Sequence, residues 1–253
     1  MSHGSFFWYD LVSKDTRASR AFLTRLFGWV ASDAAMPDGT PYTSFSSGGN
    51  VICGLMPLNE TRDYEGGKAY WMTYIQVDRL FSTITRAERQ GGEVLSEVMP
   101  VPDLGSYQVL RSPDGGLLAL VEARQPVLSP GFSWNTITWN ELMSPQPQRA
   151  QDFYRAIAGW SHQDVTGTLN YAFFTLGGAN VAGLLDMSTP DFTALKPGWQ
   201  TYIAVEDVDA LTAQVPSCGG HIAAEPFDLP GVGRVAVIIE PGEGVISLLT
   251  PPA

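Results

Sequence analysis

At 253 residues the chain has room for one large domain or two ordinary ones, and 44% hydrophobic against 16% charged residues excludes a long disordered tail. Fifteen Lys and Arg against 26 Asp and Glu give a formal net charge of −11, too acidic for a phosphate-backbone partner, so no nucleic-acid partner is expected. No stretch reaches the ~20 apolar residues of a membrane span, and Met1-Ser2-His3-Gly4-Ser5 lacks the basic and apolar segments of a signal peptide, so a cytoplasmic protein with no membrane partner is expected.

In chain order, Phe6-Phe7-Trp8-Tyr9-Asp10-Leu11-Val12 is aromatic and β-branched enough for a strand, and Ser13-Lys14-Asp15-Thr16 then offers N-cap chemistry. Ala18, Ala21, Phe22, Leu23, Leu26 and Phe27 fall at helical spacing, and Gly28 suits the positive φ of a C′ residue. Short extended stretches follow near Trp29-Val30-Ala31, Tyr42 to Ser46 and Val51 to Met56, completing a βαβββ unit. A second unit follows: a strand from Tyr70 to Val77, a helix from Leu80 to Gln90, and strands near Val94, Tyr107 to Leu110 and Leu117 to Val121. Ser112-Pro113-Asp114-Gly115-Gly116 reads as the hairpin turn before the last of these. Cys53 and Cys218 occupy non-equivalent places and predict no disulfide framework.

The chain then repeats itself. Trp8/Trp139, Asp10/Glu141, Phe22/Phe153 and Gly28-Trp29/Gly159-Trp160 share an offset of 131 residues, while Trp71 to Val77 reappears as Trp199 to Val205, and Gly91-Gly92 as Gly219-Gly220, at 128. A period of half the chain marks a duplicated domain. The expected division is residues 1–125, a Pro- and Gly-punctuated linker at 126–131, and residues 132–253.

Four βαβββ units, a Gly-Trp after the first helix of each half, and the Ser-Pro-Asp-Gly-Gly turn together resemble the vicinal oxygen chelate superfamily of glyoxalase I, bleomycin-resistance proteins and extradiol dioxygenases. The opening Trp-x-(Asp/Glu)-Leu and Leu229-Pro230-Gly231-Val232-Gly233-Arg234 resemble its tandem, hydroxylase-like branch that includes the mycobacterial antigen Cfp30B. The resemblance implies an α+β fold with two tandem domains built on curved, mainly antiparallel sheets. It implies a divalent ion held by His, Gln or Glu from strands lining each cup. Aligned to that pattern, the ligand positions fall on Trp8, Met72, Ala119 and near Gly54 in the first half, and on Trp139, Gln200, Ser247 and near Gly183 in the second. Such a set suits no hard cation, so no metal and no other cofactor is expected; zinc, nickel, iron or manganese would require other ligands.

Strand alternation places Trp8 with Asp10 and Trp139 with Glu141, and puts Leu11 and Leu142 on the helix-packed face. Trp8, Met72, Tyr74, Trp139, Gln200 and Tyr202 are therefore expected to line aromatic cups, with Arg234 reaching an anion. The expected function is binding of a small planar or anionic organic molecule. The alternative is a lyase, isomerase or dioxygenase-type enzyme, metal-dependent or using Glu141, or its equivalent Asp10, as general base. A homodimer is compatible with either reading.

Overall fold

The computed structural model describes residues 3–36, 38–101, 104–124, 132–165, 170–188, 196–229 and 232–252; the expected linker at 126–131 lies outside these residues, as do Pro230 and Gly231. The first half runs β1 (Phe6–Ser13), α1 (Thr16–Phe27), β2 (Val30–Ala35), β3 (Pro41–Ser47), β4 (Asn50–Pro57), β5 (Tyr70–Gln76), α2 (Leu80–Arg89), β6 (Glu93–Val94), β7 (Met99–Val101), β8 (Gly105–Arg111) and β9 (Leu117–Ala123). The second runs β10 (Thr136–Ser144), α3 (Pro147–Ala158), β11 (Ser161–Asp164), β12 (Tyr171–Leu176), β13 (Ala179–Asp186), β14 (Gly198–Ala204), α4 (Val208–Thr212), β15 (His221–Leu229), β16 (Gly233–Ile239) and β17 (Val245–Thr250).

These elements form four βαβββ modules, with strand runs β2-β3-β4-β1, β5-β9-β8-β6, β11-β12-β13-β10 and β14-β17-β16-β15 inside two open sheets, one per half; the short extra strand β7 pairs with β8. In every module the first strand pairs parallel with the last, β1 with β4, β5 with β9, β10 with β13 and β14 with β17. The sheets are therefore mixed, because the helix after each first strand is the crossover that lets a later strand return parallel to it.

By compactness the chain forms two units, one of residues 1–8, 72–128 and 139–200, the other of residues 9–71, 129–138 and 201–253. Each has its own core. In the first unit Ile75, Leu110, Leu118, Leu142, Phe153, Tyr154 and Trp160 cluster; in the second Leu11, Phe22, Trp29, Ile203, Ile238 and Leu248 do so. Leu11 and Leu142 are fully buried on the helix side, as strand alternation requires.

Several repeated letters now acquire reasons. Gly28 and Gly159 end α1 and α3 at φ 69° and 70°, in the left-handed region where a Cβ is costly. Trp160 then sends its indole N–H 2.8 Å to the carbonyl of Gly4 in the first unit, and Trp29 sends its own 2.7 Å to that of Asn135 in the second. Gly4 and Asn135, which supply those carbonyls, both have positive φ, 84° and 55°. Gly92 and Gly220 are flat for a different purpose. A Cβ at Gly92 would lie 2.8 Å from Phe153 Cε2, and one at Gly220 would lie 2.6 Å from Phe22 Cε2, so glycine there lets a phenylalanine ring seat against the turn.

Candidate functional site

On β1 and β10 the side-chain alternation that buries Leu11 and Leu142 turns Asp10 and Glu141 to the opposite face. The parallel register sets Asp10 opposite Gly54 on β4 and Glu141 opposite Gly183 on β13. The next strand over is antiparallel and places Ser44 opposite Gly54 and Phe173 opposite Gly183. Tyr42 and Tyr171, two residues earlier, share the face of Ser44 and Phe173, so each tyrosine leans diagonally across its glycine toward the acid.

Both tyrosines reach it. Tyr42 donates its hydroxyl to Asp10 Oδ1 at 2.8 Å. In the other unit Trp139 donates its indole N–H to Tyr171 Oη at 3.4 Å, and the Tyr171 hydroxyl hydrogen-bonds Glu141. Burial, and then the Glu141 charge, push the Tyr171 phenol well above its ordinary range, so it keeps its proton and acts as the donor. The acids themselves are buried, 3% exposed for Asp10 and 7% for Glu141. Tyr171 and Trp139 both stand edge-on to Phe173, at ring-centroid distances of 5.6 and 5.9 Å, and all three rings are half-buried. Indole, two phenyl rings and a carboxylate thus converge on one patch of the sheet.

Gly54 and Gly183 make the arrangement possible. A Cβ at Gly54 would overlap Tyr42 Oη and Asp10 Oδ1, and one at Gly183 would overlap Tyr171 Oη. Neither tyrosine was among the residues expected from sequence, and the two glycines were marked only as lying near a metal-ligand position, although Tyr42/Tyr171 and Gly54/Gly183 repeat at a common offset of 129.

The other expected residues are dispersed among different roles. Met72 and Tyr74 are buried, Tyr74 edge-on to Tyr107 at 5.3 Å. Tyr202 is buried opposite Ser247, while Trp8 and Gln200 are half-buried on β1 and β14. Arg234 is held by Asp209 through two hydrogen bonds of 2.8 and 2.7 Å, and by Asp228 at 3.3 Å. Carboxylates from α4 and β15 thus engage the guanidinium fork of Arg234 on β16.

Relatives and solved folds meet this geometry from outside. The family model for the glyoxalase/bleomycin resistance protein/dioxygenase superfamily matches residues 5–120. CFP32 of Mycobacterium tuberculosis, named as a glyoxylase, is 31% identical over 248 residues, covering 96% of this chain and 94% of that protein. The chain belongs to this superfamily. DnrV of Streptomyces peucetius, named as an anthracycline biosynthesis protein, is 32% identical over 251 residues, 92% of this chain and 88% of that one. Among solved structures, the Mn(II)-bound glyoxalase of Novosphingobium aromaticivorans shares the fold with a TM-score of 0.68 at 17% identity, covering 98% of this chain and 82% of that one. The 2,3-dioxygenase LapB of Pseudomonas sp. KL28 does so with a TM-score of 0.66 at 11% identity, covering all of this chain and 94% of that one.

The superfamily's divalent ion does not suit the residues that stand in its place here. At Gly54 and Gly183 no ligating side chain has room, because tyrosine hydroxyls fill the space a Cβ would need. Ala119 carries no donor atom, Met72 offers a soft thioether, Trp8 and Trp139 offer indoles, and Gln200 and Ser247 add only one neutral amide and one hydroxyl, with no carboxylate or imidazole among them. Among the described residues no three His, Cys, Asp or Glu side chains converge on a point.

Proposed function

We propose that this superfamily member binds a small planar organic molecule against Trp139, Tyr171 and Phe173, with Glu141 as its polar anchor, and does so without a divalent ion. The observation that carries the reading is the relay Trp139 to Tyr171 to Glu141, a buried carboxylate fixed beside a half-buried aromatic wall. Flat aromatic surface supports stacking, and one well-placed polar group fixes a ligand's orientation. The name of the Streptomyces relative points the same way, since an anthracycline is built on fused flat rings. The test is plasma mass spectrometry for metals together with native mass spectrometry for retained small molecules. The reading expects less than about a tenth of an equivalent of metal, and quenching of tryptophan fluorescence by flat aromatic compounds that Trp139→Ala abolishes. Stoichiometric metal, removed by chelation together with an activity, would overturn it.

The enzymatic alternative is a lyase, isomerase or dioxygenase-type reaction, favoured by relatives named as a glyoxylase and a biosynthesis protein. In it Glu141 is the general base, held in place by the Tyr171 hydroxyl, and takes a proton from a ligand lying on Trp139. A carboxylate so positioned contributes on the order of 10²–10⁴ in rate. Turnover that survives Glu141→Gln undiminished removes this version.

A further inference from the structure

The hydrogen bonds of the seat have a direction. Trp139 commits its single N–H to Tyr171 Oη, and Tyr171 commits its single O–H to Glu141, so the relay runs donor to acceptor and ends on a carboxylate. An ionised carboxylate accepts at about four lone-pair sites and donates at none, and Tyr171 takes one of those sites. In the other unit the same polarity recurs, with Tyr42 donating to Asp10. Neither phenol turns its proton outward toward a ligand. An indole edge and a phenol proton are the groups by which such an aromatic seat would ordinarily hold an anion, and both are used within the relay.

We infer that the Trp139-Tyr171-Glu141 seat selects flat ligands that present an N–H or O–H donor to Glu141 and rejects isosteric flat anions. This rests on the planar-ligand reading and sharpens it, replacing "planar or anionic" by "planar and hydrogen-bond donating". It makes Glu141 the specificity-determining residue and Tyr171 a positioning residue that acts through it. The donor's hydrogen bond to a charged acceptor is of the kind worth tenfold or more in affinity, whereas a sulfonate in the same place meets the like charge of a buried carboxylate.

Three naphthalenes of one ring size separate the outcomes in isothermal titration calorimetry of the full chain: 2-naphthol, 2-methoxynaphthalene and 2-naphthalenesulfonate. The expected result is that the naphthol binds at least about tenfold tighter than its methyl ether, and that the sulfonate gives no binding heat. Glu141→Gln, which adds donors and removes the charge, is expected to bring naphthol and ether within about threefold and to admit the sulfonate. Equal binding of all three by the unaltered protein overturns this inference and leaves the planar reading standing. Binding of none overturns both. An unchanged naphthol preference in Glu141→Gln also overturns it, and the comparison on the unaltered protein decides the matter even where that variant fails to fold.

Discussion

Replacing Gly183 by Ala tests whether the glycine exists to admit the Tyr171 hydroxyl. The added Cβ would overlap Tyr171 Oη and stand 2.6 Å from Cζ, about 0.8 Å inside the 3.4 Å at which ordinary contact begins, and 3.3 Å from Trp139 Nε1. A ring on a strand cannot absorb that without swinging away. The swing breaks the bond to Glu141 and lengthens one from Trp139 that already stands at 3.4 Å. Losing a hydrogen bond to a charged acceptor costs about 1.5–3 kcal/mol. Against this, alanine stiffens the unfolded chain and returns about 0.4–1 kcal/mol where its backbone angles fit. The net expectation is a loss of about 1–2 kcal/mol, read as a lower urea midpoint at unchanged slope. Tyr171→Phe supplies the second corner of a double-mutant cycle, because it deletes the hydroxyl while keeping the ring. With Oη gone the worst overlap is removed, so Gly183→Ala should cost about 1 kcal/mol less in that background than alone. Gly183→Ala within about 0.5 kcal/mol of the unaltered protein, with no coupling to Tyr171→Phe, would refute the reasoning.

Two further outcomes follow from features away from the seat. Trp160→Phe and Trp29→Phe each leave a carbonyl, of Gly4 or Asn135, without its indole partner, and each should cost about 1–3 kcal/mol in chemical denaturation; a cost for one and none for the other would mean the two bonds are not equivalent. Asp114 is 5% exposed, and its carboxyl is raised by burial, with the Ser112 and Ser144 hydroxyls and then Arg149 opposing. A carboxyl raised in the folded state contributes stability below its unfolded value, and that contribution is lost as pH rises through the folded one. Thermal melts should therefore show Asp114→Asn gaining on the unaltered protein between pH 4 and pH 7, and a constant difference across that range would exclude the linkage.

Much of the fold was legible because its signals are local. Gly28 and Gly159 announce the ends of α1 and α3, the Leu11 and Leu142 alternation gives the buried face, and the offset of 131 residues gives the duplication. The parallel pairing of first and last strands in each module was not legible, since it depends on where the crossover helix packs. The acids of the seat were found because Trp-x-Asp and Trp-x-Glu look alike in the two halves. Their tyrosines were missed for a physical reason. The sequence between the Gly-Trp pair and the tyrosine is two residues shorter in the second half, so the offset slips from 131 to 129, and apart from Phe45/Phe174 little around Tyr42 and Tyr171 matches. The ion pair of Arg234 was not legible because Asp209, on α4, is 25 residues away in sequence, and a glycine-flanked arginine gives no hint of that partner.

The composition of the compact units bears on how the polypeptide reaches its final state during synthesis. The unit containing Leu11 and Phe22 also contains residues 201–253, and its Phe22 ring seats against Gly220. Closing a loop on the order of 200 residues carries a larger entropic cost than closing the shorter one that brings Phe153 to Gly92, and such distant contacts form slowly. The first quarter of the chain leaves the ribosome long before its partner exists, with the apolar face of α1 waiting for it. The inner two modules can complete their shared core while the outer two are still separated by unfinished translation, so assembly is expected to run from the middle of the chain outward.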